Sequence, residues 1–381
     1  MINKFLTSLS YLSYQSLTIA NFFFNIYILF VLSFFGNTEL TADCFILISI
    51  ITLLTHGFSF NSRNILIANK KIVFFNRILK FRITVGILSF IATLLIIKNF
   101  FNENNFFIYV SIVLITIFAW IIEIILAKKE IEKKFDIFYF FTLFLFILLT
   151  PFIIKFTLNN LIYFIIIYCL TCYLAFFNYF RINFKEIKKI FLDNLKKFKL
   201  GLSSSFFKYF SNIVWRYSTV LLIGDQKSGI LFLGFSFGSF MGTLFDVSYG
   251  ASLVNKIKKI NINKFILYIF LYILFLTIII YAFKNFSNLS DYDKFFFEKV
   301  AKISILGGLL MLFTLAIRQS LFKIKKFHSK CYKIDLLGYI FIMILVPIIY
   351  VINANYLIFA FLISSVFTFV IYVASYKILI K

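Results

Sequence analysis

Phe106 to Ala127 reads FFIYVSIVLITIFAWIIEIILA, and Lys128-Lys129 follow at once. Inside that run only Glu123 is charged. Its length is near the ~20 residues a helix needs to cross a hydrocarbon layer. Lipid satisfies no loose backbone N–H or C=O, so the run must be helical, and the alternating pattern of a membrane barrel is absent. Similar runs recur along the whole chain. They cover Thr7–Phe35, Leu40–Phe60, Ile78–Ile97, Phe135–Ile154, Leu161–Phe180 and Gly201–Ile223. The remainder cover Gly229–Leu253, Phe265–Phe283, Phe295–Ile317, Ile334–Ile352 and Tyr356–Ser375. Of 381 residues, 62% are apolar and 14% charged, too little polar surface to cover a soluble core of this length. The expected fold is an all-α polytopic membrane protein of about twelve spans.

The net charge of +24 would suggest nucleic acid in a soluble protein. Here the basic residues lie in short loops between apolar runs, where they set orientation, so no nucleic acid partner is expected. One set of loops is rich in lysine and arginine: Arg63 to Arg82, Lys128 to Lys134, Arg181 to Lys199, Lys256 to Lys264 and Arg318 to Lys333. The intervening loops hold few, such as Lys98, Lys155 and Lys227. The positive-inside rule places the basic loops and both termini in the cytoplasm, in a multi-pass cytoplasmic (inner) membrane protein. The N-terminal run has no small-residue cleavage site and is expected to be a retained span.

The longest connection divides the chain into 1–180, a linker 181–200, and 201–381. In the linker Phe184, Ile187, Phe191, Leu195 and Phe198 repeat at helical spacing with lysines opposite. That pattern suits a basic amphipathic helix on an anionic leaflet, or a solvated linker. Each half opens with a polar helix and a glycine turn, Phe35-Gly36-Asn37 and Ile223-Gly224-Asp225. Such weak internal likeness suits a transporter built from repeats.

Polar groups inside spans are costly and normally face a cavity or a partner helix. The first span carries Asn21 and Asn25, one turn apart on one face. The seventh carries Ser203, Ser204, Ser205, Lys208, Ser211, Asn212, Arg216, Ser218 and Thr219, too polar for a lipid-facing helix. Arg216 lies roughly 12 Å from the end of its span at 1.5 Å per residue. Its guanidinium has three readings: snorkelling, a structural ion pair, or a contact to a phosphate or sugar acid through paired hydrogen bonds. Lys208 lies two turns away, rotated roughly 80°, and either snorkels or serves the same ligand. Asp246 sits at a similar depth on the eighth span and could pair with Lys208. His56 titrates near neutral pH when unperturbed and shares a helix face with Arg63; packing and ion coupling are both open for it. Glu123 is expected at the membrane interface.

Cys169 and Cys172 form a C-x-x-C with no second ligand pair nearby, so apolar filler is the expected role and no metal or cofactor is implied. Gly234, Gly238 and Gly242 recur every fourth residue, which lets helix backbones approach closely. The sequence lacks a phosphate-binding glycine loop, H-E-x-x-H and a plausible nucleophile triad, so a transport role is expected rather than an enzyme.

With its twelve spans, two six-helix halves and basic linker, the chain resembles the multidrug/oligosaccharidyl-lipid/polysaccharide exporter superfamily, specifically the bacterial polysaccharide or O-antigen flippases. The local stretches are Phe58-Ser-Phe-Asn-Ser-Arg-Asn64, Asn212-Ile-Val-Trp-Arg-Tyr217, Leu222-Ile-Gly224, Gly229-Ile-Leu-Phe232 and Gly238-Ser-Phe-Met-Gly-Thr-Leu-Phe245. The resemblance implies two lobes around a central cationic cavity. It also implies alternating-access movement of an undecaprenyl-diphosphate-linked oligosaccharide from the inner to the outer leaflet. Arg216, Lys208, Arg63, Asn21, Asn25 and Asn212 are the residues it would turn toward substrate. Asp246 and His56 are the candidates for proton or sodium coupling, and polysaccharide-assembly proteins and membrane lipid are the expected partners. Two rivals remain: an ion-coupled small-molecule exporter of the same superfamily, and an outer-leaflet oligosaccharide polymerase or ligase.

Overall fold

The computed structural model describes residues 2–57, 63, 66, 73–132, 135–180, 199–245, 262–322 and 327–380. Long helices dominate the chain, and no strand occurs among the described residues. They are α1 (Ile2–Phe34), α2 (Thr38–His56), α3 (Val73–Phe100), α4 (Phe106–Glu132), α5 (Ile137–Phe156) and α6 (Leu161–Ala175). The second set is α7 (Lys199–Ile223), α8 (Asp225–Phe245), α9 (Ile262–Phe286), α10 (Asp291–Phe322), α11 (His328–Ile352) and α12 (Ala360–Ile380). Among the described residues, 10 helices are long and apolar enough to cross a membrane. In α9 the apolar stretch is the shorter Tyr272–Phe286. α7 is the other exception, because serines, asparagine, lysine and arginine interrupt it. The fold is thus an all-α polytopic membrane protein.

Two expected boundaries shift. The sixth span does not run unbroken to Phe180: α6 ends at Ala175, Phe176 caps it through bonds back to Cys172, and a short helix, Phe177–Phe180, follows. Arg82 and Arg318, read from sequence as loop cations, lie inside α3 and α10. The basic linker 181–198 and the end of the eighth span, 246–253, lie outside the described residues.

Turn chemistry explains where the helices stop. Gly36 and Gly224 sit in the turns α1–α2 and α7–α8 with φ of 93° and 80°. Only glycine adopts that left-handed backbone without a Cβ penalty. Asp136 caps α5 by accepting from the Tyr139 N–H at 2.9 Å. Ser290 starts α10: its Oγ accepts from the Asp293 N–H at 3.2 Å and donates to the Asp293 carboxylate at 2.8 Å.

The chain forms two compact units. The first is Met1–Val31 with Ile46–Phe210; the second is Leu32–Phe45 with Ser211–Lys381. In the first unit, α4 is sheathed on nearly every side, with Tyr109, Val113, Trp120, Ile122 and Ile125 buried. In the second, α10 packs chiefly on α8 and α12. The glycine series of α8 makes that possible. A Cβ on Gly238 would lie 2.2 Å from the Ser304 carbonyl oxygen, and one on Gly308 would lie 2.4 Å from the Gly238 carbonyl oxygen.

The two halves repeat one polar device. Near the end of α4, Lys129 pairs with Asp136 and lies 5.0 Å from the Phe176 ring and 5.9 Å from the Tyr179 ring. Near the end of α10, Arg318 pairs with Asp335 of α11, which also accepts from Tyr372 of α12. In each half a cation near the end of one long helix meets an acid at or near the start of the next, with an aromatic from the segment beyond.

Candidate functional site

The first unit encloses a ladder of charge along one face of α4. Trp120, Glu123, Ala127 and Glu130 lie on that face because steps of three, four and three residues return close to the same angle. Arg82 of α3 is 1% exposed. It donates to the Trp120 carbonyl oxygen and to Glu123 at 2.7 Å, and its guanidinium lies 4.9 Å from the Trp120 ring. One ladder step away, Arg63 donates to Glu130 at 2.9 Å, both side chains buried. Glu123 is therefore a buried partner of Arg82. A carboxylate this deep persists as an ion only with such a partner.

His56, at the end of α2, lies 5.9 Å from the Trp120 ring and 5.6 Å from the Tyr209 ring of α7. Lys208 is exposed and extends over Tyr209 at 5.2 Å. These residues bring α2, α4 and α7 to one polar patch beside the Arg82–Glu123 pair.

Asn21 is committed elsewhere. Its Nδ2 donates to the Ala119 carbonyl at 2.9 Å, and its Oδ1 accepts from the Tyr139 hydroxyl at 2.7 Å. That side chain ties α1 to α4 and α5. Asn25, one turn on, is half-buried, and its Oδ1 is buried with no hydrogen-bond partner. The two amides share a helix face yet do different work.

In the second unit, Arg216 is half-buried on α7. Its Nη1 donates to the Phe45 carbonyl of α2 at 2.9 Å. Its guanidinium carbon lies 5.1 Å from the Phe45 ring, 5.4 Å from Trp215 and 5.8 Å from Phe232. Aromatic faces attract a guanidinium through their quadrupole, more strongly when water is excluded. Asn212 accepts from the Trp215 indole at 3.3 Å, fixing the ring that flanks Arg216. Asp246 lies outside the described residues, so its pairing with Lys208 has no geometry here.

Sequence reading missed a second charged knot. Arg318 reaches Asp335 with Nε at 3.0 Å and Nη2 at 2.8 Å, and the Tyr372 hydroxyl donates to the same carboxylate at 2.5 Å. Cys331, Ile334, Leu321 and Phe327 enclose it. The available signal was an arginine and an aspartate at facing ends of successive spans. Tyr372→Phe should remove one hydrogen bond to a charged group, about 1.5–3 kcal/mol, and lower the unfolding temperature in detergent. An unchanged transition would show that the Arg318–Asp335 bond alone holds these helices.

Comparison with protein-family models, curated proteins and solved structures returns no match.

Proposed function

We propose that this protein is a flippase that moves a lipid-linked, diphosphate-bearing oligosaccharide from the inner to the outer leaflet, for surface polysaccharide synthesis. In this reading it is a member of the exporter superfamily that its sequence resembles, with both termini in the cytoplasm. The observation that carries it is Arg216. This guanidinium sits within a helix flanked by apolar spans, half-buried, against a carbonyl oxygen and three rings. Planar guanidinium groups bind phosphate through paired, charge-assisted hydrogen bonds. The repeated cation–acid–aromatic device in the two halves also suits a transporter built from repeats. Half-buried Asn212 extends the polar face of α7 that would receive the substrate. Proton or sodium coupling through His56 or Asp246, and docking with polysaccharide-assembly proteins, belong to the same proposal.

A small-molecule exporter coupled to an ion is the second reading, favoured by the buried acids Glu123 and Glu130. Both are already engaged by arginines, Glu123 by Arg82 and Glu130 by Arg63.

The deciding experiment is lipid-linked oligosaccharide accumulation in a deletion strain. The glycan should build up on the inner leaflet, and the wild-type gene should clear it. Arg216→Ala, present at normal level, should leave most of it in place. Normal arrival of glycan at the outer leaflet, in a strain lacking this protein and every redundant flippase, would sink the reading.

A further inference from the structure

The tip of the α1–α2 hairpin, residues 32–45, packs within the second unit. Its hold there is close and largely backbone to backbone. The Asn288 N–H donates to the Phe34 carbonyl at 2.9 Å, and the Phe34 and Phe283 rings meet edge to face at 5.9 Å. On the other side of the tip, a Cβ on Gly229 of α8 would fall 2.1 Å from the Thr38 carbonyl oxygen and 3.2 Å from the Ala42 nitrogen. Phe45 lies against Phe232 at 5.9 Å. Arg216 adds a charged donor to this hold, its Nη1 on the Phe45 carbonyl at 2.9 Å.

We propose that Arg216 is a switch between two acceptors: the Phe45 carbonyl, which clasps the hairpin tip, and a substrate diphosphate, which takes the guanidinium and frees the tip. The proposal rests on the flippase reading and gives its substrate a way to trigger the transport movement. A helix carbonyl offers one oxygen with partial charge. A phosphate offers a full negative charge and two oxygens matched to the guanidinium fork, and charge-assisted bonds are roughly twice as strong as neutral ones. A phosphate that takes Nη1 into its paired bonds displaces Phe45 in the clasped state and need not do so in the released state. It therefore binds the released state better, and a ligand shifts an equilibrium only through such a difference. The linkage is reciprocal: anything that loosens the tip raises affinity for the diphosphate.

Cys44 supplies the reporter. It sits in the clasped tip with 0% exposure and becomes reachable when the tip swings away. The test uses full-length protein in nanodiscs, carrying Cys169→Ala, Cys172→Ala and Cys331→Ala, and measures the rate of maleimide labelling at Cys44. Farnesyl diphosphate, with inorganic pyrophosphate as a second probe, should raise that rate about tenfold, the step expected from a differential affinity near 1.4 kcal/mol. Arg216→Ala should label quickly without ligand and ignore both probes. Gly229→Ala forces the tip from α8 without touching the guanidinium. It should also label quickly while binding farnesyl diphosphate more tightly, and it keeps the test open should Arg216→Ala not fold. Labelling of Arg216→Ala as slow as the parent protein overturns the switch, as does an equal response to diphosphate with and without Arg216. The glycan-accumulation assay does not depend on Cys44, so a true flippase without this switch and a switch in some other transporter give different pairs of results.

Discussion

Arg82→Ala should cost about 3–5 kcal/mol, because it strands the Glu123 carboxylate in an apolar helix bundle with its main partner removed. Arg82 is among the largest fully buried side chains of the protein. Its removal deletes a 2.7 Å bond to Glu123, a bond to the Trp120 carbonyl oxygen and a cation–ring contact at 4.9 Å. Glu123→Ala should cost a similar amount by leaving the guanidinium among Trp120 and its apolar neighbours. The double variant Arg82→Met/Glu123→Leu buries no charge and keeps most of the volume, so it should recover much of the loss. Size-exclusion profiles after heating in detergent give the ranking: both single variants collapse at lower temperature, and the double variant lies nearer the parent. Single variants that behave like the parent would show that water reaches the pair and that the charge ladder of α4 is solvated. Lys208→Ala serves as the control, since its exposed ammonium should change stability little.

The helices were legible from sequence because lipid imposes a length and an internal hydrogen-bond requirement on every span. Phe106–Ala127 illustrates it: the run predicts a helix, and α4 begins at Phe106. Glycine turns were legible too, since Gly36 and Gly224 interrupt otherwise continuous apolar or polar periodicity where a left-handed residue is needed. Charge was harder. An arginine near a loop has the same local pattern whether it faces water or an acid on another helix. Arg82 and Arg318 therefore read as loop cations, while the fold pairs them with Glu123 and Asp335, 41 and 17 residues away. Such pairing is tertiary and leaves no periodic trace. Asn21 shows the same limit from the other side. Its depth and polarity mark it as costly, but only the packing of α1 on α4 and α5 shows that the cost is met by Ala119 and Tyr139. Arg216 was legible as the odd cation of α7, and its contact with Phe45 was not, because 171 residues separate the partners.

Gly238→Ala should be among the most damaging single-methyl changes in the second unit. The added Cβ would lie 2.2 Å from the Ser304 carbonyl oxygen, 2.6 Å from the Phe361 ring and 2.8 Å from the Ser304 carbonyl carbon. Overpacking commonly costs 1–3 kcal/mol and more where nothing can yield. Two of the three obstacles are main-chain atoms of α10, and a rotamer change cannot move them. Relief requires shifting α10, which also packs on α12. Gly308 approaches the Gly238 carbonyl equally closely from the other helix, so the crossing is tight in both directions. Gly224→Ala meets nothing within 4 Å, and its penalty is only the left-handed backbone at φ 80°, about 1–2 kcal/mol. Gly242→Ala meets the flexible end of Met311 at 3.0 Å, which a thioether can vacate. The expected order of lost thermal stability is therefore Gly238 above Gly224 above Gly242. An order led by Gly224 would mean that turn geometry outweighs helix contact. An order led by Gly242 would place the tight crossing nearer Met311 than Ser304.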